Sequence, residues 1–117
     1  MKLMQKAYEK IRAHLIEQGR PAMNASGECL YRSETGLKCA VGCLISDDAY
    51  HEKLEDNTPM DDRVQEALRK SGWDFTEGEL QCLNEMQEKH DSWRGGLDGV
   101  IRDIDQVAQK YKLEVVK

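Results

Sequence analysis

Apolar side chains recur at Met4, Ala7, Tyr8, Ile11 and Leu15, with lysine, glutamate, arginine and glutamine filling most positions between them. That spacing lines one face of a helix and predicts an amphipathic helix over residues 2–18. Gly19 and Pro21 stop it. The pattern then changes. "CLYR" and "LKC" flank the turn-forming "SETG", which predicts a short hairpin with Gly36 supplying a positive φ. From Cys39, "CAVGCLI" reads as a short buried helix in which Gly42 lets another backbone approach closely. Residues 47–55 read as a further helical turn or two.

The second half is more regular. "NTPMDDRVQEALRKSG" offers Thr58 as an N-cap and Pro59 as the first helical residue, with Val64, Ala67 and Leu68 facing inward. Thr76 and Glu79 form a T-x-x-E capping box before a helix striped by Leu80, Leu83, Met86 or Gln87, and His90. A last helix carries Leu97, Val100, Ile101, Ile104, Val107, Ala108 and Tyr111. The expected fold is mostly α (α+β): one small helical domain over residues 1–117, with a β-hairpin inserted after the first helix.

A chain of 117 residues suffices for one hydrophobic core and is too short for two ordinary ones. No apolar run approaches the roughly 20 residues that span a bilayer, and the charged N-terminus lacks a signal-peptide core. The expected location is therefore the cytoplasm, where the four cysteines stay as thiols. A net charge of −5 argues against direct nucleic-acid binding. The acidity is local, because seven acids against Lys53 alone lie between Asp47 and Asp62.

Three constellations carry possible chemistry. Cys39-x3-Cys43 has a spacing zinc sites use, and Cys29 and His51 could complete a zinc-stabilised module. The apolar context favours buried structural thiols instead. The order His51, His90-Asp91, Asp103 fits helical metal-dependent phosphohydrolases of the HD type, whereas His90 also suits a helix end on electrostatic grounds. No histidine pairs with a cysteine in a local nucleophile signature, so no coherent catalytic set emerges. Asp47, Asp48, Asp61 and Asp62 fall near expected helix starts, where the macrodipole favours acids. That leaves Glu52, Glu55 and Asp56 as a surface for a basic partner. Trp73 and Trp93 sit just beyond helix ends, as core lids or, for Trp93, a partner anchor.

The pattern "CLYR…GLKCAVGCLI", Cys29 to Ile45, resembles a motif in small proteins of tailed bacteriophages and prophages, and the likeness extends to "LQ…HD" between Leu80 and Asp91. The resemblance implies a phage accessory protein in the host cytoplasm that binds and modulates a host protein, such as a defence component. It supplies no catalytic or binding residue. The expectation is a non-enzymatic binding protein without cofactor or metal, whose partner surface includes Glu52, Glu55, Asp56 and Trp93.

Overall fold

A computed structural model of the chain describes residues 2–24, 26, 28–55, 57–93 and 95–116. Four α-helices form among them: α1 (Lys2–Gln18), α2 (Asp62–Lys70), α3 (Glu77–Ser92) and α4 (Gly96–Lys110). The stripe of α1 is buried at all five positions, Met4, Ala7, Tyr8, Ile11 and Leu15. The stripes of α3 and α4 meet it, so these three helices share one core. With extents of 33 × 31 × 19 Å, the molecule is about two helix diameters thick.

Helix starts are set by side chains. Thr76 Oγ1 accepts from the Glu79 amide while Glu79 Oε1 accepts from the Thr76 amide, which is the expected capping box. Glu79 is buried, and its other oxygen, Oε2, accepts from the Met4 amide at 3.1 Å. One carboxylate thus closes the first turns of two helices. The start of α2 departs from expectation. Thr58 Oγ1 accepts from the Met60 amide in a preceding turn, and Asp61 is the cap, accepting from the Arg63 amide at 2.9 Å.

The hairpin is also corrected. Among the described residues no strand forms, only isolated antiparallel bridges pairing Met23 with Cys29 and Arg32 with Lys38. Gly36 does take the expected positive φ (87°). Pairing stops because both sides of the turn are claimed by other groups. The Tyr31 and Arg32 amides donate to the Glu55 carboxylate at 2.8 and 3.2 Å. After Cys39 the chain coils instead of extending: Cys43 N–H donates to the Cys39 carbonyl at 3.1 Å, and a 3₁₀ turn follows over Gly42–Leu44. A second 3₁₀ turn covers Glu52–Leu54. The middle of the chain is thus a wound loop layer laid against α1 and α3.

Candidate functional site

Near its C-terminal end, α3 presents Gln87, His90 and Asp91 to the loop layer. Gln87 and His90 are buried, whereas the Asp91 side chain is 44% exposed. The Gln87 side chain faces two ways: Oε1 accepts from the Val41 amide at 2.9 Å and Nε2 donates to Asp91 Oδ1 at 2.8 Å. His90 Nε2 lies 3.2 Å from the Ala22 nitrogen, and an amide can only donate, so Nε2 is the acceptor. The ring hydrogen is thereby assigned to Nδ1, which donates to Asp91 Oδ1 at 3.0 Å. Trp93 packs edge-on against the imidazole with ring centroids 5.5 Å apart, holding the ring's orientation.

Cys29 arrives from the loop layer. Its thiol donates to the Asp91 carbonyl oxygen over 3.6 Å, a long contact even for sulfur. Its Sγ, one ring nitrogen of His90 and an Asp91 oxygen lie within 4.8 Å of one another, the one such group of three potential metal ligands among the described residues. Burial, reinforced by the Asp91 charge and hydrogen bond, pushes the Cys29 thiol up to about 11. At neutral pH it is a thiol and not a nucleophilic thiolate.

Cys29 and Asp91 also line a cavity of about 430 Å³. Glu28, Glu55, Glu88 and Asp91 supply four carboxylates, Asn57, Thr58, Asn84 and Gln87 neutral polar groups, and Leu30, Tyr31 and Pro59 apolar surface. No lysine or arginine lines it among the described residues. Glu55 is half-buried and accepts from the Tyr31 and Arg32 amides and from the Tyr50 hydroxyl (2.6 Å). Tyr31 is further held by a hydrogen bond from its hydroxyl to the Asn57 carbonyl. Glu55 and Tyr31 are therefore fixed parts of the wall.

The other sequence candidates are dispersed. Cys39 is fully buried, and burial drives its thiol well above the ordinary range. Cys43 is half-buried on a different cavity, with Lys10, Lys38 and Trp73. Neither Cys29, Cys39, Cys43 and His51 nor His51, His90, Asp91 and Asp103 converge as a ligand set among the described residues. Glu52 is exposed on its 3₁₀ turn, Glu55 reaches the cavity, and Trp93 faces His90 and the core. Asp56 lies outside the described residues. Sequence reasoning missed the meeting of Cys29 with His90-Asp91, because it placed Cys29 in one ligand set and His90 and Asp91 in another.

No family model, curated protein or solved structure matches the chain. No helix among the described residues is long and apolar enough to cross a membrane.

Proposed function

We propose that the chain is a non-catalytic, phage-type accessory protein that acts in the host cytoplasm by binding a basic segment of a host protein, with the acidic cavity as its receptor. The observation that supports this most is the lining: four carboxylates around about 430 Å³, with no basic side chain among the described lining residues. Such a surface raises the encounter rate of a cationic segment and disfavours acidic competitors. The volume lies within the range of small-ligand pockets, enough for a side chain rather than a folded domain. Leu30, Tyr31 and Pro59 add apolar contact for the methylene stem of a lysine or arginine. The protonated Cys29 thiol, and a His90 whose two nitrogens are already engaged, favour binding over catalysis.

The test is an array of lysine- and arginine-rich peptides against the immobilised chain. It is compared with Glu28→Lys and Glu88→Lys, whose parent side chains are exposed, so that folding is spared. Reversal is expected to weaken the selected peptides about tenfold or more, mainly in the association rate, and to flatten the salt dependence. Unchanged association at low salt in both folded variants removes the cavity from the mechanism.

A further inference from the structure

We propose that Cys29, His90 and Asp91 form a binding site for a single divalent ion of borderline softness, of the zinc or cobalt kind, at the wall of the acidic cavity. The proposal does not rest on the basic-partner reading. It rests on three different donor types, thiol, imidazole and carboxylate, brought within 4.8 Å of one another from two separate parts of the fold. His90 Nδ1 and Asp91 Oδ1 are already 3.0 Å apart. Two ligands about 2.0–2.2 Å from one zinc ion, at a tetrahedral angle, lie only slightly farther apart than that. A sulfur, a nitrogen and an oxygen suit zinc or cobalt better than magnesium or calcium, which prefer oxygen throughout.

The surroundings supply what three bare ligands lack. Gln87, itself fixed by the Val41 amide, braces the Asp91 carboxylate, and Trp93 holds the plane of the imidazole. Cys29 and Asp91 both face the cavity, so an ion has an entry path and a fourth position open to solvent or to a ligand. Three protein ligands leave the fourth tetrahedral position for water or a bound ligand.

Proton accounting gives the site a signature. The ion takes Cys29 as thiolate, and one proton leaves to solvent. It takes His90 through Nδ1, so the ring's hydrogen moves to Nε2. That nitrogen now accepts from the Ala22 amide, and once protonated it cannot. Occupancy therefore costs the Ala22 hydrogen bond and leaves that buried amide without its acceptor.

The test uses the full chain without a histidine tag, titrated with cobalt(II) alone and then competed with zinc(II). One equivalent of cobalt is expected to bind, with the absorption of a sulfur-to-cobalt charge transfer. Cys29→Ser should abolish that absorption, Cys43→Ser should retain it, and Asp91→Asn should weaken binding roughly tenfold or more. The half-exposed Asp91 side chain makes its variant the control should Cys29→Ser unfold. In zinc-loaded protein, the Ala22 amide should exchange its hydrogen faster than in the apo chain. Absence of saturable cobalt uptake overturns the proposal. So does a sulfur band that survives in Cys29→Ser, or unchanged Ala22 exchange on loading.

Discussion

A Cβ built on Gly42 would lie 2.0 Å from the Tyr31 carbonyl oxygen, and the atoms it meets are backbone that cannot swing away. Gly36 differs: its φ is 87°, yet open space surrounds it. The two glycines are needed for different reasons, one steric and one conformational. Gly42→Ala is expected to destabilise by about 3 kcal/mol or more, as overpacking against backbone does. Gly36→Ala should cost only about 1–2 kcal/mol, the strain of a left-handed L-residue. Urea denaturation of the two variants checks this, and equal losses would contradict the close approach. That something would pack on Gly42 is legible in "CAVGCLI"; that it is Tyr31 is not, because Glu55 fixes Tyr31 from 24 residues away. The same limit hides the site. Cys29 and Asp91 are 62 residues apart, and no local spacing announces their contact.

Helices are legible wherever stripe and cap agree. In α1 the buried positions are those of the apolar period. Helix α3 buries Glu79 and Cys82 besides its stripe, and α4 buries Gly99 while Leu97 and Tyr111 stay partly buried. The residue types at Thr76 and Glu79 are enough to mark the start of α3. For α2 the sequence points to Thr58, but the cap is Asp61, whose carboxylate is placed to accept from the Arg63 amide. The hairpin is cut short for a different reason. Backbone bonds join Ser33 to Leu37 and Cys39 to Tyr31 across "SETG", but the Tyr31 amide goes to Glu55 and the Cys39 carbonyl to the Cys43 amide, so the ladder ends there. The second bond of Glu79, to Met4, joins α3 to α1 and has no counterpart in the T-x-x-E motif. Thr76→Ala, which removes one cap, should cost about 1 kcal/mol. Glu79→Ala, which leaves donors of two helices without their buried carboxylate, should cost about 2–4 kcal/mol. Chemical denaturation distinguishes them; equal costs would mean that the Met4 bond contributes nothing.

Across the whole molecule, the acids of high intrinsic pKa are held protonated. Burial and the Asp105 hydrogen bond push Tyr8 up to about 12, and burial pushes Cys43 and Cys82 there as well. The hydrogen bond to Glu85 and burial do the same for Tyr111. Each folded value exceeds its unfolded one, so the unfolded chain loses these protons first as pH rises. Their contribution to stability is fully present below about pH 9, where thiols of the unfolded chain begin to ionise, and declines toward about pH 12. Urea midpoints are therefore expected to stay level from neutrality to about pH 9 and to fall beyond it; a level profile through pH 11 would contradict the protonated joints. The loop layer between α1 and α2 carries a further consequence, in the order of events. Its backbone is fastened at Ala22 by His90, at Lys38 by Gln18 and at Val41 by Gln87, each a side chain of a helix. The layer is fully fastened only once α1 and α3 stand side by side, so it is expected to be the last part of the chain to set. The cavity it walls is then expected to form with the final loop closures, with long-range search rather than helix formation as the slow step toward a competent molecule.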